Sequence, residues 1–447
     1  MPLGDTDNDP TGAAKGGNPD AHGLMYSNQV AVNFGKGMAD PFVPALAIHL
    51  SATPAQLGWL QAFVNLFPAV MQVPWGKLSD FLGRRVPFLV VGGVLSFSMY
   101  FFMLGVVNAS QLIFLVAIQM FIGSMMIPTW SALVGDMTTT RNRGSIMSRF
   151  FAISSLASLA ATLVAGAIMP EGGGSVLSIY AIPFLIAGGS GIIGSIVLFQ
   201  MRESKRRLYA SPKTIFSFSL RSFIFISDLT ENIYFRNLVA LQCVFNFIMS
   251  LIWPLLYLTY IDVLGATLFD IALMTVISTG SALFFQTRVG RWLDLTGPMP
   301  HILISRFAFI SVPIVYALAT QMWHIYVINA ALGFATAMSN VAFFAYILDV
   351  APEAKKGEYF AVYNTMIGLV TFAGSIIGGY LALFFLDIYL QNLVIALGAV
   401  YAISAFGRGI CAVWFFKLKD PVKYPFTLRQ LAGKWYRGLR SGDRRPS

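Results

Sequence analysis

The sequence predicts an all-α polytopic membrane protein, with twelve transmembrane helices in two six-helix bundles and both termini in the cytoplasm. Three observations predict this fold class. The composition is too apolar for water, apolar stretches of about 20 residues recur along the chain, and the Lys and Arg residues are confined to alternate connections. The first observation indicates the solvent, and the other two indicate the number and orientation of the spans.

The composition excludes an ordinary soluble protein. Of the 447 residues, 56% are hydrophobic and only 11% are charged, whereas soluble domains carry about 25% charged residues. In water such a chain would expose apolar surface and aggregate, so lipid is the expected solvent. The sequence contains no nucleophile-elbow, Walker or dinucleotide-binding motif and no metal-ligand spacing of His or Cys. We therefore predict neither an enzyme nor a metal or cofactor site.

The apolar stretches define the organisation of the chain. Residues 1–24 are polar and rich in Gly, Pro, Asp and Asn, which is typical of a disordered tail. A long connection at 201–237 separates one bundle at 25–200 from another at 238–417, and residues 418–447 form a basic cytoplasmic tail. The predicted spans lie near 28–50, 56–75, 87–107, 111–135, 145–169, 176–200, 238–260, 267–287, 301–320, 323–348, 359–386 and 391–416.

The distribution of basic residues sets the orientation. Counted from a cytoplasmic N-terminus, every even connection contains Lys or Arg, whereas the odd connections contain neither. Because cytoplasmic loops attract basic residues, both termini are predicted to face the cytoplasm of a multi-pass protein of the cell membrane. The formal charge of +10 then lies on one face of the membrane, where it favours anionic lipid headgroups over nucleic acid.

Two repeated patterns indicate that the halves arose by duplication. The pattern G-x-x-x-D-x-x-G begins at Gly76 and again at Gly290, an offset of 214 positions. Asp136 and Asp349 are each followed seven residues later by a basic residue and a glycine, at an offset of 213. Six spans separate the copies, so both halves share one orientation. This is the parallel-repeat arrangement whose halves rock about a central site.

The loop at residues 76–85, GKLSDFLGRR, resembles the signature loop between spans two and three of the major facilitator superfamily. The stretch from Asp136 to Gly144, preceded by Pro128 and Trp130, is similar to the end of the fourth helix in that family. The resemblance covers about residues 26–417. It implies a central cavity between the bundles, lined mainly by spans one, four, seven and ten, and alternating access.

The resemblance also implies a gate. In the family, the acidic residue of the loop, here Asp80, engages the start of a helix in the other half and latches the cytoplasmic side shut, where the helix dipole stabilises a carboxylate. The second copy, Asp294, lacks the following basic pair, so we expect a weaker latch there. The residues predicted to act in gating are Gly76, Asp80, Gly83, Arg84, Arg85, Asp136, Arg143, Gly290, Asp294 and Asp349.

Two departures count against a drug/proton antiporter. Many proton-coupled antiporters of the family carry an Arg in the fourth helix, where this sequence has Gln119. The Gly-Pro motif expected in the fifth helix of drug antiporters is missing as well, because that span contains no proline.

Two charged residues in the first span are the strongest candidates for chemistry. Lys36 and Asp40 lie one helical turn apart and share a face with Asn33. Charges inside a membrane are costly, so each needs a reason. Either the two form an ion pair that fixes packing, or Lys36 binds an anionic group of the substrate and Asp40 accepts a coupling proton. Because the first span is expected to line the cavity, we favour the functional interpretation.

Other polar and aromatic residues recur at mid-depth of the spans. Arg408 and Arg306 are interpreted as structural residues whose long side chains reach the membrane interface. Asn65 and Asn364 lie on spans two and eleven. Hydrogen bonding between helices explains any single Asn or Gln, but the set indicates a moderately polar site with aromatic edges. The predicted substrate or proton site comprises Asn33, Lys36, Asp40, Gln119, Trp130, Asn246, Trp253 and Asn340.

The sequence therefore predicts a secondary transporter that moves a small solute by alternating access, coupled to protons through Asp40. Lys36 favours an organic anion or metabolite. Proton-driven export of lipophilic cations is the alternative, favoured by Asp40 and the aromatic content, and a non-transporting sensor or scaffold is a third. The expected partners are a small-molecule substrate, protons and the lipid bilayer, with no nucleic acid, and the protein is expected to be a monomer.

Overall fold

A computed structural model describes residues 21–137, 143–170, 175–201 and 232–418, and these residues form an assembly of helices. Ten of the helices in these ranges are long and apolar enough to span a bilayer. Beginning with the third predicted span, they cover each predicted stretch to the end of the chain. The described part of the chain is thus all-helical, and the chain is a multi-pass membrane protein.

The described residues of the first half contain nine α-helices. They are α1 (Ala21–Ala39), α2 (Val43–His49), α3 (Pro54–Val70), α4 (Gln72–Leu82), α5 (Val86–Met103), α6 (Ala109–Gly123), α7 (Met126–Met137), α8 (Arg143–Ile168) and α9 (Val176–Val197).

In the range 232–418, the second half contains eight. They are α10 (Ile233–Ser250), α11 (Leu256–Leu258), α12 (Leu268–Thr296), α13 (Pro298–Ala308), α14 (Ser311–Leu318), α15 (Met322–Val350), α16 (Lys356–Ile388) and α17 (Leu393–Trp414).

The first two predicted spans are broken helices. A 3-10 turn, Asp40–Phe42, separates α1 from α2, since Pro41 has no N–H to donate and cannot continue the α-helical pattern. Pro68 lies near the end of α3, and the helix stops two residues later, before α4. These interruptions explain why neither segment is a single long apolar helix.

Two predicted boundaries require correction. Helix α1 already begins at Ala21, so residues 21–24 belong to the helix and not to the tail, of which residues 1–20 lie outside the described residues. Helix α10 begins at Ile233, inside the predicted connection 201–237. In both cases the helix continues into more polar sequence than a hydrophobicity criterion admits. The remainder of that connection and the tail from 419 lie outside the described residues.

Helices pack within each half and across the two halves. In the first half α1 packs against α8 and α9, and in the second half α12 and α13 pack against α15. The halves meet along two helix pairs, α3 with α16 and α8 with α12. We call the end of the molecule that carries the Gly76–Arg85 connection the basic end, and the other the non-basic end.

Hydrogen bonds join the two halves towards the non-basic end. Trp59 Nε1 donates to the Tyr380 hydroxyl over 3.4 Å, and the Tyr257 hydroxyl donates to the Pro41 carbonyl over 3.3 Å. Gly58 and Gly379 lie backbone to backbone at the same level, because a Cβ atom on Gly379 would come within 3.1 Å of the Gly58 Cα. The two halves are therefore closed against each other at the non-basic end.

The two halves repeat local structure at the offset of the sequence repeat. Thr53 and Thr267, which occupy equivalent positions, each begin a helix with a capping box. Gly83 and Gly297 are likewise equivalent, and they adopt positive φ angles of 62° and 78° at the ends of α4 and α12. Only glycine adopts such angles without strain, which explains the last position of the repeated motif.

The interruption of the first span is repeated too. Trp253–Leu255 forms a 3-10 turn with proline at its second position, as does Asp40–Phe42 at the equivalent place in the first half. The structure therefore places Asp40 and Trp253 at equivalent kinks of equivalent helices.

Candidate functional site

A cavity of about 260 Å³ lies in the basic half of the first bundle. Three predicted site residues, Asn33, Lys36 and Trp130, line it together. Helix α1 supplies one wall, and the cavity is closed by side chains from α5, α7 and α8. Its other lining residues include Asn28, Gln29, Leu89, Met126, Phe150 and Ser154.

A glutamine that the sequence analysis did not single out organises the polar side of this cavity. The Asn33 amide donates to the Gln29 carbonyl over 2.8 Å and to Gln29 Oε1 over 3.1 Å, and the Ser154 hydroxyl donates to the same Oε1 over 3.0 Å. Asn28 is buried and donates to the Gly194 carbonyl over 2.8 Å. Gln29 thus ties α1 to α8, and Asn28 ties it to α9.

Lys36 and Asp40 do not form the contact ion pair that the structural alternative requires. In the part of the chain that the structure describes, neither residue has a salt-bridge partner, and the two charges interact only at longer range. Asp40 begins the 3-10 turn that ends the regular helix carrying Lys36. Lys36 is exposed and is therefore available to an anionic group in the cavity.

Asp40 belongs to a hydrogen-bonded chain instead. The buried Tyr100 hydroxyl of α5 donates to Asp40, and the Gln119 side chain of α6 lies near Tyr100. Tyr257 of the second half lies within electrostatic range of Asp40 and hydrogen-bonds to the adjacent Pro41 carbonyl. The structure thus brings Asp40 and Gln119 close to the same tyrosine and places Asp40 beside a residue of the second half.

The second half repeats the Gln–Asn pair of the first. The offset of the repeat aligns Gln242 and Asn246 with Gln29 and Asn33. The Asn246 amide donates to the Gln242 carbonyl over 2.9 Å and to Gln242 Oε1 over 3.4 Å, the same two bonds that Asn33 makes. Gln242 Nε2 donates to the Tyr363 hydroxyl over 2.8 Å. This places the predicted residue Asn246 at the position equivalent to Asn33.

A second cavity, of about 360 Å³, lies between the halves along α3 and α16. Trp253 lines it together with Asn65 and Asn364, and the remaining walls are mostly aliphatic. The buried Asn65 Nδ2 has no hydrogen-bond partner among the described residues. Trp253 is thus separated from Lys36 and Trp130, whereas Asn340 is exposed on α15 and lines neither of these two cavities.

The residues predicted to form the gate occupy the basic end. Arg85 pairs with Asp80 over 2.5 Å and lies 3.8 Å from Asp136, and it donates to the Ser79 hydroxyl over 2.9 Å. Within the described residues Asp80 thus pairs inside its own connection and not with a helix of the second half. A Cβ atom on Gly76 would lie 3.7 Å from the Pro128 side chain of α7, and Arg84 is exposed.

The second copy of the gate differs from the first at the positions of Asp80 and Gly76. Asp294 is exposed and, among the residues that the structure describes, has no ion pair. A Cβ atom on Gly290 would meet open space, in contrast to Gly76. Asp349 is exposed at the end of α15. Arg143 begins α8, and its side chain lies outside what the structure describes.

Arg306 and Arg408 do not extend to the membrane interface, so that part of their interpretation was wrong. Their exposed fractions are 2% and 1%. Arg306 lies among four Phe rings, and it donates to Gln242 Oε1 over 3.1 Å and to the Ser339 hydroxyl. Arg408 donates to the backbone carbonyls of Phe309 and Met249. These contacts hold both guanidinium groups inside the bundle, so the side chains have no need to reach water.

Sequence reasoning missed Gln29, Tyr100, Gln242 and Tyr363. The repeat contains a signal for the two glutamines, since they occupy equivalent positions and each is followed four residues later by Asn. For the two tyrosines no sequence signal exists, because their relevance depends on which helix faces Asp40 and Gln242.

Comparison with known proteins agrees with this architecture. The sequence profile of the Major Facilitator Superfamily matches residues 25–320 and 238–436. An uncharacterized MFS-type transporter of Methanocaldococcus jannaschii, MJ1560, is 24% identical over 374 residues, which cover 80% of this chain and 90% of the relative.

Solved structures show the same fold at low sequence identity. A mutant of the nucleoside transporter NupG superimposes with a TM-score of 0.67 at 14% identity and covers 88% of this chain and 99% of its own. A D-xylose-proton symporter superimposes with a TM-score of 0.65 at 16% identity and covers 91% and 99%. The fold, the profile match and the relative agree with the resemblance of the 76–85 loop and with a transport protein that is not an enzyme. This chain is a member of the Major Facilitator Superfamily.

Proposed function

We propose that the protein is a proton-coupled secondary transporter of a small organic anion or metabolite in the plasma membrane. In this proposal it has twelve spans, counting α1–α2 and α3–α4 as the first two, and both termini lie in the cytoplasm. The observation that carries the proposal is Lys36. Its exposed ammonium group has no carboxylate in contact among the described residues and lines a cavity whose other polar lining residues are neutral. An unpaired cation at membrane depth is costly unless a ligand compensates it.

The conformation is consistent with alternating access. The halves are hydrogen-bonded towards the non-basic end, while the Lys36 cavity lies in the basic half of the first bundle. Asp80 pairs with Arg85 of its own connection. We infer a state open to the basic, cytoplasmic side, in which the Asp80 latch is released.

A binding screen tests the substrate class. The purified protein is screened by thermal shift against organic anions, sugars, amino acids and lipophilic cations. A ligand that binds only the folded state stabilises it by about 2.7 kcal/mol at a hundredfold excess over its dissociation constant. We expect an anion to stabilise the wild type and Lys36→Ala to lose that shift. The matched control is Lys417→Ala, since Lys417 is exposed after the last helix. Stabilisation by anions that survives Lys36→Ala would contradict the role of Lys36.

Proton coupling is tested at Asp40. In proteoliposomes, uptake driven by a pH gradient is expected to disappear in Asp40→Asn, while exchange of substrate down its own gradient persists. Asp270→Asn is the matched control, because Asp270 also accepts from a tyrosine, Tyr326, but caps α12 at the non-basic end. Gradient-driven uptake that is unchanged in Asp40→Asn would refute coupling through this residue.

Export of lipophilic cations is the second candidate, and one observation favours it. Among the described residues the Asp40 carboxylate has no cation in contact, and aromatic residues lie beside it. In the same screen, stabilisation by lipophilic cations that is lost in Asp40→Asn would replace the anion proposal. A protein that binds a ligand but transports nothing in liposomes would instead support a sensor.

A further inference from the structure

The second bundle contains two buried guanidinium groups, those of Arg306 and Arg408, without a carboxylate partner among the described residues. They interact electrostatically and share Phe309, whose ring lies 5.0 Å from Arg306 and whose carbonyl accepts from Arg408 over 2.7 Å. Buried charges are normally paired or hydrogen-bonded throughout. Here, within the described part of the chain, Nε of each arginine lacks a partner. The interior of the second bundle is therefore electropositive.

Only one of the two arginines is linked to polar side chains that are partly exposed. Arg306 donates to Gln242 Oε1, whereas Arg408 donates to backbone carbonyls. Gln242 in turn contacts Asn246 and Tyr363, which are both partly exposed. Asn246 is the equivalent of Asn33, which lines the Lys36 cavity.

The direction of these hydrogen bonds follows from Arg306. A guanidinium group can only donate, so it fixes the amide oxygen of Gln242 towards itself. The Gln242 amide nitrogen then points at Tyr363 and donates to its oxygen, which leaves the Tyr363 O–H free to donate elsewhere. The positive charge polarises the whole chain and strengthens that last donor.

We propose that Arg306 is a positioning residue that makes Tyr363 an anion-directed donor. In this arrangement the Tyr363 hydroxyl is the contact that the second half makes with an anionic substrate. The inference rests on the proposed transport of anions and adds to it the contact in the second half, where the positive charge is buried behind Gln242.

The first half shows why this assignment is not a general property of the repeat. The equivalent glutamine, Gln29, receives its bond from the neutral Ser154 hydroxyl, and Lys36 supplies a cation directly. In the second half Met249 occupies the position that the repeat aligns with Lys36. In the first half the positive charge of Lys36 is therefore exposed, whereas in the second half the charge of Arg306 is buried and acts on Tyr363 through the Gln242 amide.

The test compares anions with their neutral analogues. Dissociation constants are measured on the full-length protein in nanodiscs for benzoate against benzamide and for uridine monophosphate against uridine. The ratio of the neutral to the anionic constant is the anion preference. The first pair measures the preference for a carboxylate, and the second measures the preference for a phosphate. Folding of every variant is checked by size exclusion and thermal midpoint.

Gln242→Glu is the decisive variant. The carboxylate would pair with Arg306, cancel its charge, and accept from Tyr363 instead of donating to it. The anion preference is expected to fall about tenfold, the equivalent of losing one charge-assisted hydrogen bond. Tyr363→Phe removes the donor without touching Arg306 and is expected to have the same effect. Arg306→Lys keeps the charge and is expected to retain more of the preference than Arg306→Gln.

Arg408→Gln is the matched control, because Arg408 is equally buried in the same bundle but donates to backbone carbonyls and not to Gln242. It is expected to lower stability and leave the anion preference unchanged. A wild-type preference that survives both Gln242→Glu and Tyr363→Phe would overturn the inference, as would an equal loss in Arg408→Gln. If the anion preference survives those two substitutions but is lost in Lys36→Ala, the proposed anion transport is supported and only the role of Arg306 and Tyr363 is rejected. A wild type without any anion preference overturns both.

Discussion

The two halves share a polar pair on their first helix but differ in what surrounds it. Gln29–Asn33 and Gln242–Asn246 make the same two intrahelical bonds. In the first half the glutamine is held by a serine, and in the second by a buried arginine. Duplicated bundles can therefore keep the same Gln–Asn hydrogen bonds within one helix. The charge beside that pair is set by a residue on another helix and can differ between the halves.

The difference extends to helix packing. The offset of the repeat aligns Gly93 with Arg306, and Gly191 holds the same place in α9 that Arg408 holds in α17, counted from the first residue of each helix. A Cβ atom on Gly191 would overlap the Phe97 ring. The first bundle is thus closed by direct contact at glycines. In the second, Arg306 within a cluster of Phe rings and the buried Arg408 fill the corresponding positions.

The largest effect is expected from emptying the second bundle. Arg408→Ala removes a fully buried side chain and leaves the Phe309 and Met249 carbonyls without their donor, so we expect a loss on the order of 3 kcal/mol or more of unfolding free energy. Denaturation in mixed micelles measures it. Arg288→Ala, at an exposed arginine, is the control. Equal effects of the two substitutions would mean that Arg408 does not fill the bundle.

The next prediction compares the two glutamines. Gln242→Leu leaves the Arg306 guanidinium without one of its acceptors, and we expect it to cost about 3 kcal/mol, because an uncompensated buried charge is strongly unfavourable. Gln29→Leu loses neutral hydrogen bonds, for which about 1 kcal/mol is expected. The quantity to compare is the loss of unfolding free energy in Gln242→Leu minus the loss in Gln29→Leu, both measured by denaturation in mixed micelles. If it were zero, the charge on Arg306 would have no energetic consequence at Gln242.

A smaller effect is expected from filling the first bundle. Gly191→Ala would force Phe97 to move, and overpacking of this kind costs about 1–3 kcal/mol. Gly189→Ala, two residues earlier on the same helix, adds its methyl group to open space. Alanine favours the helix over glycine by about 1 kcal/mol, so this control should be neutral or slightly stabilising. Thermal midpoints in detergent that rank the two variants in the opposite order would contradict the close contact.

The smallest effect concerns what the halves share. Thr53→Ala and Thr267→Ala each remove the side-chain cap of a helix, which costs about 1 kcal/mol. Thr53→Ser and Thr267→Ser keep the hydroxyl and serve as controls, with unfolding free energies measured in the same mixed micelles. Similar losses would show that the two capping boxes contribute equally to stability. A loss in one half only would show that they share their geometry but not their contribution to stability.

The sequence predicted much of the fold and part of the geometry of the candidate site. Hydrophobic stretches located the helices, because lipid requires about 20 apolar residues per span, and the constant offset of the repeat identified equivalent positions in the two halves. It predicted that Asn33, Lys36 and Trp130 belong to one site, and they line one cavity. It predicted one continuous span over residues 28–50, and so missed that α1 and α2 are separate helices.

What the sequence alone determined was the membrane as solvent, the periodicity of the helices and the duplication, since each depends on residues that are close together in the chain or equally spaced along it. The tertiary structure decided the partners. That Asp40 accepts from Tyr100 and does not contact Lys36, and that Arg306 is buried against Gln242, depends on how helices remote in sequence are rotated against each other. Packing sets that rotation, and no local pattern of residues specifies it.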